Sequence, residues 1–128
     1  MAYYIDSSAA LKLVVSEPET QALASWIIDR TVLASDLVRT ETLRAARRHS
    51  PAVLGQARVV LSAFMMMALT SDVCERAAEL DPLILRSLDA IHLACALQLG
   101  HELDGIITYD QRMTEACERI GVTAIAPS

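Results

Sequence analysis

Two short apolar runs, Ala2 to Ile5 and Gly105 to Tyr109, each stop at an aspartate, Asp6 and Asp110. Runs of this length without polar alternation are expected of strands buried on both faces. Longer stretches with helical spacing lie between them. That alternation predicts an α/β domain with a mostly parallel sheet. A chain of 128 residues has room for one such domain, spanning 1–128, and enough interior to need no disulfide. At 53% hydrophobic and 21% charged it is no disordered chain, and 4 Gly with 4 Pro argue against a turn-rich all-β fold.

Ser7 and Ser8 lead into a helix expected over Ala9 to Val15. Ser16 followed by Glu19 reads as a capping box, with Pro18 in the first turn of a helix carrying Leu23, Trp26 and Ile27. Thr31 to Ala34 predicts a strand, and Ser35 or Asp36 can cap a helix reaching about His49. Pro51 opens another helix, whose apolar run from Val59 to Leu69 should end in a strand around Met66 to Thr70. Ser71 to Leu80 reads as helix, and Ser87 can cap one from Leu88 to Leu99. Met113, Ala116, Cys117 and Ile120 form a helical stripe that stops at Gly121, before a last strand over Val122 to Ile125.

No run approaches the roughly 18 uncharged apolar residues of a membrane span. Asp6 interrupts the first apolar run and no basic leader precedes it, so a cytoplasmic protein without a membrane partner is expected. Cys74, Cys95 and Cys117 include no C-x-x-C pair and suit reduced, buried thiols. The net charge of −5 does not by itself recommend a polyanionic partner. Ten of the 11 basic residues are Arg, so chemistry needing a lysine has one candidate, Lys12.

The acids carry the strongest chemical signal. In an open parallel sheet, ligands bind beyond the carboxyl ends of the strands, near a topological switch point, and Asp6 and Asp110 would both lie there. Taken singly, each is simply a good N-cap for the next helix. Glu41 shares a helical face with Leu37, Val38 and Ala45, which puts a carboxylate where the core should be. Asp89 lies in the first turn of the most apolar helix, where the helix dipole favours it by about 0.3–1 kcal/mol. That accounts for its place in the helix and leaves its burial unexplained. Should all four meet, like charges at about 4 Å would cost ~4 kcal/mol per pair even at an effective dielectric of about 20. Their folded pKa values should then rise, and protons or cations would be needed. Oxygen-only sites favour Mg²⁺ or Mn²⁺ over zinc, and such ions serve phosphoryl-oxygen chemistry.

At these residues the chain resembles a known family. Asp6 after the first strand, Glu41 in Leu-Val-Arg-Thr-Glu, the segment Leu85-Arg86-Ser87-Leu88-Asp89-Ala90-Ile91-His92-Leu93-Ala94, and Thr108-Tyr109-Asp110 are similar to PIN-domain ribonucleases. More narrowly, they resemble the VapC-type toxins of bacterial type II toxin–antitoxin pairs. The resemblance implies a three-layer α/β/α sandwich with a mostly parallel central sheet. It also implies a metal-dependent endoribonuclease in which Asp6, Glu41, Asp89 and Asp110 hold one or two Mg²⁺ or Mn²⁺ ions, and inhibition by a small cognate antitoxin. Many members of that family carry a further acid shortly after the position of Asp110, where this chain has Gln111, Arg112 and Met113.

Ser7 and Thr108 adjoin the strand-end acids and could hydrogen-bond a carboxylate, whereas Ser8 reads as an ordinary cap. Arg39, Arg44, Arg47 and Arg48 share the helix of Glu41 and could meet RNA phosphates. A solvated helix face or an antitoxin contact explains them equally well. Arg86 could orient Asp89, touch phosphate or form a structural ion pair. His92 with Cys95 lacks the further ligands of a soft-metal site and reads as core. Met65, Met66 and Met67 read as adaptable core or interface filler. The apolar content makes a homodimer plausible. A phospho-acceptor receiver domain also gathers aspartates around Mg²⁺. It needs an acid beside Asp6 and a lysine at a late strand end, where this chain has Ser7 and only Lys12. A non-catalytic module of the same fold would be expected to have lost acids, and none of the four is missing.

Overall fold

The computed structural model describes residues 1–128. The strands are β1 (Ala2–Ile5), β2 (Val32–Ser35), β3 (Met65–Met67), β4 (Leu103–Ile107) and β5 (Ala124–Ile125). The helices are α1 (Ser7–Lys12), α2 (Thr20–Ile27), α3 (Asp36–His49), α4 (Pro51–Ser62), α5 (Ser71–Ala78), α6 (Ser87–Leu97) and α7 (Gln111–Ile120). All pairings in the sheet are parallel, in the order β3-β2-β1-β4-β5. Tyr4 stands beside Leu33 on one side and Ile106 on the other, so β1 is the central strand.

The chain builds outward from β1 to β3 and then returns to lay β4 on the opposite side of β1. Right-handed crossovers in opposite directions put helices on opposite faces of the sheet. Strand side chains alternate between those faces, and the contacts follow. Tyr3 meets Trp26 of α2 edge-on at 4.8 Å, whereas the Tyr4 hydroxyl reaches His92 of α6 at 2.8 Å. The three-layer sandwich is the architecture expected, and the reversal of strand order falls between β1 and β4.

Several boundaries differ from expectation, each for a local reason. Helix α1 starts at Ser7 because Asp6 caps it, accepting from Ala9 N at 3.1 Å. The capping box of Ser16 and Glu19 does not form. Lys12 draws both Glu17 (2.5 Å) and Glu19 (3.0 Å), and Pro18 falls in the turn before α2. Thr20 ties that turn down instead, accepting from Glu17 N and donating to Lys12 O. Ser87 is the first residue of α6 rather than its cap, since Arg86 holds that position without a side-chain bond. Met65–Met67 form the edge strand β3, with Met65 exposed and the other two half-buried. Strand β4 covers 103–107 and not 105–109, so Thr108 to Asp110 lie beyond its end. Strand β5 is shorter than the run Val122 to Ile125. Cys95 and Cys117 are buried as expected, but Cys74 is exposed.

Gly105 lets β5 close against β4. A Cβ there would lie 2.6 Å from Ile125 Cδ1 and 2.9 Å from the carbonyl oxygen of Thr123. Because one neighbour is backbone, Gly105→Ala should cost about 1–3 kcal/mol by overpacking and lower the melting temperature by several degrees. A melt indistinguishable from wild type would contradict this close approach.

Candidate active site

Asp6 leaves the end of the central strand and is 3% exposed. Its Oδ1 accepts from Ser8 Oγ at 2.6 Å and Ala9 N at 3.1 Å, and its Oδ2 accepts from Thr108 Oγ1 at 2.5 Å. Thr108, fully buried, also accepts from Asp110 N at 3.1 Å, and Ser8 accepts from Tyr109 N at 3.0 Å. These hydroxyls stitch the ends of β1 and β4 together around one carboxylate. Ser8 is therefore a clamp on Asp6 rather than a helix cap. Burial raises the Asp6 pKa above its ordinary value, and the bonds from Ser8 and Thr108 only partly offset it.

Asp110 caps α7, accepting from Arg112 N at 2.9 Å. Both strand-end aspartates thus cap helices, and both stand at the switch point. Asp89, in the first turn of α6, faces them across the edge. Its pKa is raised by partial burial first and then by the charge of Asp110, with Asp6 adding a smaller push. His92 and Arg112 pull the other way without reversing the shift.

Glu41 occupies a different setting. The buried stripe of α3 runs through Val38, Thr42 and Ala46, so Glu41 sits on its rim with 28% of its side chain exposed. Its Oε1 accepts from Ser7 Oγ at 2.5 Å and from His92 Nε2 at 2.8 Å, while Oε2 has no protein partner. Burial pushes this carboxyl up, but His92 and Ser7 outweigh it and hold Glu41 below its ordinary value. Glu41 thus runs against the rise that convergence of the acids would produce.

His92, expected in the core, also reaches the candidate site. It is buried, yet both ring nitrogens are engaged, Nε2 by Glu41 and Nδ1 by the Tyr4 hydroxyl. Two spacings hold the signal: His92 is three residues beyond Asp89 on α6, and Tyr4 is two before Asp6 on β1.

The basic residues flank the acids without neutralising them. Neither Arg86 nor Arg112 forms an ion pair; with Asp89 and Glu115 they line a cleft of about 60 Å³ beside the edge. The ion-pair reading of Arg86 falls away. On α3, Arg39 pairs with Asp36 at 3.3 Å, whereas Arg44, Arg47 and Arg48 stand exposed together along one open groove. Lys12, taken by Glu17 and Glu19 and lying 4.8 Å over the Tyr109 ring, is not available as a receiver-type lysine.

An all-parallel sheet with carboxylates along the edge at its switch point has known relatives. Residues 3–119 match the family model described as the PIN domain. The chain is 38% identical to Ribonuclease VapC47 of Mycobacterium tuberculosis, covering 97% of this chain and 96% of that one. It is 40% identical to Ribonuclease VapC46 of the same organism, over 99% and 98%. Among solved structures, a toxin–antitoxin complex from Klebsiella pneumoniae superposes with a TM-score of 0.74 at 26% identity, covering 98% of each chain. The chain belongs to the PIN-domain family, and within it to the VapC-type ribonuclease toxins.

PIN-domain ribonucleases are metal-dependent. The donors here suit such an ion in kind: they are carboxylate oxygens, and no cationic side chain pairs with Asp6, Asp89 or Asp110. As the side chains stand, no three acidic, histidine or cysteine groups lie close enough together to hold one. No helix is long and apolar enough to cross a membrane.

Proposed function

We propose that Asp6, Glu41, Asp89 and Asp110 hold one or two Mg²⁺ or Mn²⁺ ions, and that RNA phosphodiesters are hydrolysed over this edge. The observation that carries the reading is a deficit of positive charge. Asp6, buried, and Asp89, half-buried, stand at the switch point with no ion-paired cation, and Asp89 feels the charge of Asp110. Bound there, a divalent ion supplies charge neutralisation at the phosphoryl oxygens and a more acidic attacking water.

The protein's own part is placement. Thr108 and Ser8 clamp Asp6 and leave it little freedom to move. Asp89 in the first turn of α6 and Asp110 at the cap of α7 would join Asp6 in holding the ion. Ser7 and His92 restrain Glu41 through Oε1. Arg86 and Arg112, in the cleft beside Asp89, are positioned to meet phosphates of the bound strand. Local contacts of this kind offset a net charge of −5.

A small cognate antitoxin is the proposed protein partner, and the protein works in the cytoplasm as a homodimer. Leu83 and Ile84, exposed at 91% and 85%, support the dimer reading. Expressed alone, the wild type should arrest growth, whereas Asp6→Asn should not. The product of an adjacent gene should relieve the arrest and co-purify with the wild type. A wild type that is harmless when expressed alone and retains no partner contradicts the proposal.

A further inference from the structure

A buried polar chain runs from the core to the site. Ser35 Oγ lies 2.8 Å from the Tyr4 hydroxyl, which lies 2.8 Å from His92 Nδ1. His92 Nε2 lies 2.8 Å from Glu41 Oε1. Ser35, Tyr4 and His92 are each under 5% exposed, and they come from β2, β1 and α6. Apolar residues would fill the same space without the demand that every polar atom be satisfied. The chain ends at a carboxylate of the site.

Hydrogen-bond bookkeeping gives it a direction. A carboxylate only accepts, so Nε2 carries the hydrogen that faces Glu41. In a neutral imidazole Nδ1 is then an acceptor, so Tyr4 donates to it and takes its own bond from Ser35. In a cationic ring, Nδ1 donates to Tyr4 and Tyr4 to Ser35, and the Nε2–H on Glu41 is unchanged. The contact at Glu41 is the same in either state.

Ser7 also donates to Oε1, so both bonds fall on one oxygen. We infer that His92, aimed by Tyr4, is a positioning residue for Glu41, committing Oε1 to the protein and leaving Oε2 free to hold a cation. This rests on the reading of Glu41 given above. Outer partners of this kind, when removed, typically cost 10–100-fold in metal affinity or activity.

The test compares His92→Asn with His92→Gln. Gln is long enough to put an amide N–H near the place of Nε2, and Asn is not. Mn²⁺ binding is read directly by electron paramagnetic resonance titration, with RNA cleavage kinetics alongside. His92→Asn should weaken Mn²⁺ binding about 10–100-fold and lower kcat with little change in KM for RNA, and His92→Gln should recover most of both. Tyr4→Phe, which keeps the packing and removes the hydroxyl, should show a smaller loss in the same direction. It carries the test if the Asn variant does not fold. Equal losses in the Asn and Gln variants, or wild-type Mn²⁺ binding in both Asn and Phe variants, would overturn the inference. Glu41→Gln separates the two levels. If it loses Mn²⁺ while His92→Asn does not, the positioning role fails alone. If Glu41→Gln binds Mn²⁺ like wild type, the reading of the site fails and this inference with it.

Discussion

Asp6→Asn is expected to lower RNA cleavage by about two orders of magnitude or more without unfolding the protein. The amide is isosteric and caps a helix as well as the acid does, so the bond from Ala9 N survives. The Thr108 hydroxyl can rotate to suit the new group. The negative charge is what disappears. Losing about 3 kcal/mol of cation-mediated stabilisation in the transition state corresponds to roughly a hundredfold in rate. Initial rates and thermal melts on the same preparation check both halves. Asp110→Asn should be equally or less impaired, because that carboxylate is half-exposed and spends one oxygen on Arg112 N. Wild-type cleavage by Asp6→Asn would remove Asp6 from the site.

Asp89→Asn should stabilise the metal-free protein near neutral pH and abolish most of the stabilisation that Mg²⁺ or Mn²⁺ confers on the wild type. Burial and the charge of Asp110 raise the Asp89 pKa, and burial raises that of Asp6. A carboxyl with a raised folded pKa binds more protons folded than unfolded. Its contribution is complete below the unfolded value, about 4, and is lost as pH rises through the folded one. Glu41 works in the opposite sense, since its pKa is depressed. Its contribution is present above its unfolded value and fades as pH falls through the folded one. For Asp89 the raised value is already the net of opposing influences, including His92 and Arg112, so removing the charge relieves the fold. The lost interaction with the α6 dipole, about 0.3–1 kcal/mol, acts against this gain. Cations that bind only the folded protein stabilise it by mass action, and the Asn variant loses that increment. Melts of both proteins with EDTA and with metal measure the four values. A lower melting temperature for metal-free Asp89→Asn, with no metal shift in either protein, would make these acids simple helix caps.

The strand-end acids were legible because short apolar runs mark buried strands, and their carboxyl ends share one edge of a parallel sheet. Glu41 was legible as a carboxylate on an apolar helix face, although the face is centred on Val38, Thr42 and Ala46. The bond from His92 to Glu41 was not. It depends on α6 lying over the central strand, and that follows from strand order, which no local pattern contains. The depressed pKa of Glu41 was hidden for the same reason. The capping box at Ser16 failed through a competing contact just upstream, since Lys12 gathers Glu17 and Glu19. The end of α4 was obscured by an apolar run from Val59 to Leu69 with no period to separate helix from strand.

If the carboxylates act through a divalent cation, RNA cleavage must follow the metal through removal and return. Purified wild-type protein is incubated with RNA after exhaustive treatment with EDTA, and Mg²⁺ or Mn²⁺ is then restored in excess. Cleavage should stop with the chelator and return with either ion in the wild type, and should not return in Asp6→Asn. Cleavage by the wild type that persists undiminished in EDTA would contradict it.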